Sequence, residues 1–347
     1  MVRTVRRGGR PDHADLDSAS GLGADLPGPR LACRAAAAAA VCLASAFAPP
    51  PARADAVEVV RGVAYASGAD ADPARHVMDV YLPAGRADAP VVVFAHGGGW
   101  TSGDRRNHAN IGQALAARGI GVALVDYRLT DGGPGSVVHP AHARDVARAV
   151  AFLRAYLIVR GGVPGGVFLM GQGAGAHLAA LVATDARLLA AHGLSPADLR
   201  GVVGISGIYR IDPQSREYAN VFGTDPLARA DASPVAHASR GDPPFLLLYA
   251  ADDLPRRDAE AEAMAEALRA AGVARVVDGV PGRDFETILS AIGQPGDPTT
   301  DRIVDFVGRL VPRATPSATA AGPTPAAPTP VPAAPPSQPA DGPGGAA

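Results

Sequence analysis

The run Gly171-Gln172-Gly173-Ala174-Gly175 stands between an apolar stretch, Gly166 to Met170, and an alanine-rich segment, Ala174 to Ala183. Glycines packed this densely between a strand pattern and a helix pattern dictate a sharp turn with two backbones in close approach, since only glycine lacks the Cβ that would obstruct them. A second run, His96-Gly97-Gly98-Gly99-Trp100, closes the apolar stretch Pro90 to Ala95. Each run sits at the end of a strand, which commits the chain to layers of strands and helices.

A glycine-rich turn after a strand also occurs in dinucleotide-binding folds. That fingerprint needs G-x-G-x-x-G at the first strand of the domain and an acidic residue about 20 positions on, whereas the 171–175 run follows at least three predicted strands. The better match is the strand-to-helix elbow written G-x-S-x-G, which pushes a serine hydroxyl out at the top of a sheet. Here the central residue is Gly173, and it presents no hydroxyl.

Elsewhere, period-two and short apolar runs predict strands near 57–65, 78–82, 91–95, 121–125, 167–170, 202–205, 245–249 and 274–277. Helical periodicity predicts helices near 107–118, 141–156, 174–183, 258–271 and 300–310. Strands alternating with helices give an α/β fold: a mainly parallel, doubly wound eight-stranded sheet with helices on both faces and an antiparallel hairpin at its first edge. The segment from Tyr209 to Ala238 lacks periodicity and is expected to cap the pocket.

The motifs are similar to those of the H-G-G-G carboxylesterases related to hormone-sensitive lipase, and most resemble the branch of aryl formamidases and feruloyl-esterase-like proteins. The supporting residues are Met78 to Pro83, the 96–100 run, Trp100 to Asp104, Val125 to Leu129, His139-Pro140-Ala141, Ser206 to Tyr209, Ala232-Ser233-Pro234 and Pro244 to Asp253, all in the family's order. The resemblance implies an α/β-hydrolase fold. It also implies an oxyanion hole at His96, Gly97, Gly98, Gly99 and Trp100, with the N–H groups of Gly98, Gly99 and Ala174 as donors.

Carried onto this sequence, the triad order of nucleophile, acid and histidine places the acid at Asp253, or at Asp252 if the turn slips by one. The nucleophile position falls on Gly173. The histidine position falls in Gly282-Arg283-Asp284-Phe285-Glu286, where either Phe285 replaces it or a residue is lost after Asp284; no histidine follows His237. The expected protein is therefore an esterase-like pseudoenzyme whose pocket binds a small ester, amide or carboxylate. An active hydrolase with a non-standard site and a non-catalytic scaffold are the alternatives.

His177, i+4 from Gly173, is expected to pack or hydrogen-bond rather than act as the base, and His139 and His142 to be surface or cap residues. No cofactor is implied, and no metal-ligand spacing is present. A net charge of −2 with interspersed charges gives no reason to expect nucleic acid.

Residues 1–56 read as a targeting leader. Arginines at 3, 6, 7 and 10 precede the apolar run Ala35 to Ala48, and small-residue cleavage sites follow at 52–56. Export is the expectation, with removal of both cysteines, Cys33 and Cys42, and no membrane span in the mature chain. Residues 57–311 form the expected hydrolase domain. From 312 to 347 the Pro/Ala/Thr-rich composition has little to bury and is expected to form a disordered tail.

Overall fold

The computed structural model describes residues 56–311 except 134 and 162–164; the expectations for the leader before residue 56 and for the tail lie outside these residues. The strands are β1 (Val57–Ala64), β2 (Val77–Pro83), β3 (Val91–Ala95), β4 (Gly121–Val125), β5 (Val167–Gln172), β6 (Leu199–Ile205), β7 (Phe245–Asp252) and β8 (Arg275–Asp284). They form one sheet in the order β1-β2-β4-β3-β5-β6-β7-β8. β2 runs antiparallel to β1 and β4, and the remaining pairs are parallel.

The helices are α1 (Ala109–Ala116), α2 (Ala141–Val159), α3 (Ala174–Thr184), α4 (Ala186–Ala190), α5 (Ala219–Phe222), α6 (Pro226–Asp231), α7 (Arg257–Ala270), α8 (Thr287–Ser290) and α9 (Pro298–Leu310). They divide the core into two layers. Along β3, Val91, Val93 and Ala95 face the layer of α2 and α3, with Leu153, Leu178 and Leu181. Val92 and Phe94 face the other layer, with Ile111 and Leu115 of α1 and Ile303 and Val307 of α9. Covering both faces explains why β3, β4 and β5 are buried at every position and carry unbroken apolar runs. Each Val, Leu, Phe or Met side chain among them contributes about 1.5–3 kcal/mol of burial.

Two elements differ from the sequence pattern. β8 continues past 277 to Asp284, through Gly279, Pro281 and Gly282, because β7 supplies a parallel partner as far as the Asp252/Asp284 pair. The 209–238 segment contains two short helices, α5 and α6, the second started by Asp225, whose carboxylate accepts the N–H groups of Leu227 and Ala228. Its internal brace is the buried Arg229, which donates from Nε to Gly223 O (2.9 Å) and from Nη1 to Asp212 O (2.6 Å) and Ser215 O.

Candidate functional site

The β5–α3 junction is an elbow centred on Gly173, at φ 54° and ψ −114°. Its N–H donates to Ile205 O (2.9 Å), which ties the turn to the end of β6. A Cβ at Gly171 would overlap the Gly175 backbone, and one at Gly175 would overlap the Ala95 carbonyl. The flanking glycines thus let α3 begin hard against the end of β3, where the second glycine run starts. Contact between the two runs is direct: a Cβ on Gly97 would lie 3.2 Å from Gln172 O.

The 96–100 loop has three successive residues at positive φ: Gly98 (108°), Gly99 (60°) and Trp100 (62°). Gly98 allows no side chain, since a Cβ would overlap the Ser102 backbone, whose N–H donates to Gly98 O over 3.0 Å. Trp100 tolerates its unusual backbone because its ring is locked in place. It is fully buried and meets His177, Tyr218 and Phe222 edge-on at 5.0, 5.0 and 4.8 Å. Among the described residues, the N–H groups of Gly98, Gly99 and Ala174 have no intramolecular acceptor.

Beneath the loop, buried charges hold its start in place. His96 Nε2 is 3.4 Å from Asp126 Oδ1, which also accepts the Arg105 backbone N–H (2.7 Å). Arg105 bridges Asp126, through Nη1, to Asp79, through Nε at 3.1 Å. Tyr127 donates its hydroxyl to His96 O (2.9 Å) and stacks on the imidazole at 4.5 Å. Burial pushes the Tyr127 hydroxyl well above the usual phenol range, so it remains a donor.

Phe285 follows directly on β8, and the strand's length brings it to the elbow. A Cβ on Gly173 would stand 3.3 Å from its Cζ and 3.6 Å from its Cε2. The Gln172 side chain donates to Phe285 O, fixing that approach. Asp253 turns inward after β7: Oδ2 accepts the Ser206 hydroxyl (2.5 Å) and the Ala250 N–H (2.9 Å), and Oδ1 accepts the Leu254 N–H (2.7 Å). Asp252 is exposed and lies opposite Asp284 in the β7/β8 ladder.

Two of these roles were missed by the sequence reading. Ser206 belongs to a recognised motif, but its bond to Asp253 is a contact between strands. Gln172 is the unspecified position of the elbow pattern, so nothing marked it.

The histidines divide differently from expectation. His177 is buried with Nε2 2.8 Å from Ala232 O, and desolvation pushes its pKa down to about 3, so a neutral imidazole donates there. His139 is half-buried against Phe222 (5.4 Å). His142 corrects the surface or cap reading: α2 turns it into the core, 3.1 Å from Thr130 Oγ1, and burial lowers its pKa to about 4.

A cleft of about 400 Å³ is lined by Ile208, Tyr218, Leu254, Arg257 and Glu260, with no residue of either glycine run in its wall. Tyr218 also reaches the glycine loop, its Cε1 being 4.0 Å from where a Gly99 Cβ would stand. Glu260 anchors the opposite wall by accepting the N–H groups of Tyr209 (2.8 Å) and Arg210 (2.9 Å). No cluster of three or more His, Cys, Asp or Glu suited to a metal ion occurs among the described residues, nor does any helix long and apolar enough to cross a membrane.

A sheet of this order, with a glycine elbow after β5 and an inward acid after β7, defines an α/β-hydrolase of the esterase-like type. The chain belongs to the BD-FAE family, whose model matches residues 78–268, more than half of its length.

Among curated relatives it is 35% identical over 161 residues to the probable isoprenylcysteine alpha-carbonyl methylesterase ICMEL1 of Oryza sativa subsp. japonica, covering 44% of this chain and 36% of that protein. It is 31% identical over 224 residues to the carboxylic ester hydrolase LipN of Mycobacterium tuberculosis, covering 58% and 57% respectively. The chain thus spans between about a third and somewhat over half of these relatives. The fold is shared with a tributyrin phosphonate-inhibited esterase B from Lactobacillus rhamnosis, at TM-score 0.62, 24% identity, and 81% and 93% coverage of the two chains. It is also shared with a truncated carbohydrate esterase from gut microbiota, at TM-score 0.62, 18% identity, and 75% and 99% coverage.

Proposed function

We propose that this protein is a non-catalytic esterase-fold binder, which holds small acyl or aryl carboxylates at the N–H groups of Gly98, Gly99 and Ala174. The observation that carries the reading is the Phe285 ring beside Gly173. Ester hydrolysis by this fold needs a nucleophilic oxygen and, within hydrogen-bond reach, a base to take its proton. At this elbow the first position carries hydrogen and the second side a hydrocarbon ring. Neither a covalent acyl intermediate nor a proton shuttle can be written with these groups.

What persists is a set of backbone donors held by buried packing. Free N–H groups stabilise a negative oxygen, and without a serine side chain the anion offered to them is a ligand carboxylate rather than a tetrahedral intermediate. The cleft bordered by Tyr218 and Leu254 has room for the acyl or aryl body, since ligand pockets commonly enclose ~300–1,000 Å³. Export, read from the leader before residue 57, belongs to the same proposal; N-terminal sequencing of secreted protein tests it.

A thermal-shift comparison of matched acids and esters tests the binding. A carboxylate at about 100 times its Kd should stabilise the fold by about 2.7 kcal/mol, with little response to its ester. Equal shifts, or none, would leave only a scaffold role. Robust turnover of p-nitrophenyl acetate or labelling by a fluorophosphonate would overturn the non-catalytic reading.

A further inference from the structure

A second cavity, of about 470 Å³, lies between α2 and α4 and shares no lining residue with the cleft walled by Tyr218 and Leu254. Three guanidiniums line it. Arg144 and Arg148 stand one turn apart on α2, and among the described residues neither side chain has a hydrogen bond or an ion pair. Two like charges at i and i+4 repel, and with no ion pair of their own these two cations leave an electrostatic demand that an anion can meet.

Arg187, across the cavity on α4, is held rigidly. Its Nε and Nη2 donate to the two oxygens of Asp185 (2.7 and 2.8 Å), and Nη2 also donates to Asp231 (2.7 Å). Its Nη1 is left without a partner among the described residues. Asp185 and Asp231, which themselves line the cavity, are therefore both already engaged by Arg187. Water screens this outer pair, since the Arg187 and Asp231 side chains are 64% and 53% exposed.

The rest of the polar lining is the two carboxylates that Arg187 engages, Asp185 and Asp231, and two imidazoles that add no charge at neutral pH. Burial pushes His139 down to about 4, and burial together with the charge of Arg148 lowers His192. Leu188, Pro140 and Ala191 supply an apolar floor.

We infer that this cavity binds a small phosphomonoester, with its phosphate between the free guanidiniums of Arg144 and Arg148 and Nη1 of Arg187, and its organic body over Leu188. The choice of phosphate over carboxylate follows from the number and placement of donors. One guanidinium fork satisfies both oxygens of a carboxylate, whereas two forks on successive turns and a third donor on the facing wall match the three oxygens of a dianion. The inference is independent of the elbow reading, because no residue of the 96–100 or 171–175 runs takes part.

Isothermal titration calorimetry of the full chain with phenyl phosphate at fixed ionic strength tests it. Wild type should bind one equivalent, and Arg144→Ala/Arg148→Ala should bind at least tenfold more weakly. Alanine favours the helix, so α2 should be retained, and an unchanged thermal midpoint of the free variant would confirm it. Arg144→Lys/Arg148→Lys keeps the charge and removes the forks, and should fall between the two. Absence of binding by wild type, unchanged affinity in the alanine variant, or full affinity in the lysine variant would each overturn the inference.

Discussion

The Ser206 hydroxyl donates to Asp253 Oδ2 across 2.5 Å, so the acid after β7 is held by the end of β6 and by the Ala250 N–H. An inward carboxylate is thus kept in place with no imidazole to orient. Ser206 sits at φ 49° and is fully buried, which makes the pair a fixed part of the sheet end.

With the acid already in place, an esterase could be rebuilt at this elbow. Gly173→Ser alone should remain near background with p-nitrophenyl acetate, because an unassisted hydroxyl is a weak nucleophile. Adding Phe285→His, or a histidine inserted after Asp284, should raise kcat/KM by about 10²-fold or more over the single variant. If both double variants stayed silent while folded, the placement of Asp253 as the triad acid would fail.

The close approach of the two glycine runs gives a stability prediction. Gly175→Ala drives a methyl into the Ala95 carbonyl, and Gly98→Ala drives one into Ser102 while keeping φ at 108°. Each should lose about 1–3 kcal/mol in urea denaturation from overpacking, with backbone strain in addition at Gly98. Gly132→Ala is the control: φ is 76° but nothing lies within 4 Å, so it should lose only the smaller strain share. Equal losses at all three positions would contradict the packing account.

Buried and exposed ion pairs should separate cleanly. Asp126 is 2% exposed and accepts from Arg105, whose own side chain is 13% exposed. Asp126→Ala strips the Arg105 cation of one partner and should cost about 3–5 kcal/mol. Asp88→Ala removes an exposed partner of Arg86 and should cost less than about 1 kcal/mol. Denaturant titration of both variants reads the difference.

Acid sensitivity should report His177. Its folded value is about 3 against an ordinary 6.5, so between those pH values the unfolded chain binds a proton that the folded chain does not. Stability therefore rises with pH across this window and is lost as pH falls, at about 1.4 kcal/mol per unit. His142, lowered to about 4, acts with the same sign between 6.5 and 4. His177→Gln keeps a donor for Ala232 O and should reduce the loss between pH 7 and pH 4.5 by about 2.5 kcal/mol. An unchanged loss would show that His177 is not buried as a neutral group.

The sheet was legible because both of its faces are covered. Strands such as Val91–Ala95, and Val167–Gln172 up to its last residue, are then without polar side chains, and the helices between them carry their own period. The short helices α5 and α6 gave no such signal, since four to six residues hold too few turns for a face to emerge and Arg229 stabilises them from within.

The glycine runs could be read because each glycine meets a local steric demand. The approach of Phe285 to Gly173 could not be read in the same way. It depends on β7 extending β8 through residues with poor strand propensity, and on a Gln172 bond across 113 positions of chain. His142 was misplaced for a related reason: the direction it faces on α2 is set by what packs on that helix, which the helix's own sequence does not contain.

At φ 54° and ψ −114°, Gly173 occupies backbone space that a side-chain-bearing residue enters only at a cost of about 1–3 kcal/mol. A Cβ added there would also stand 3.3 Å from Phe285 Cζ, closer than most such contacts. Placing any side chain at this elbow therefore takes up backbone strain and presses the ring back slightly before chemistry can repay either. The elbow thus behaves as a one-way valve for substitution, in which glycine sits at the bottom and each single change away from it runs uphill.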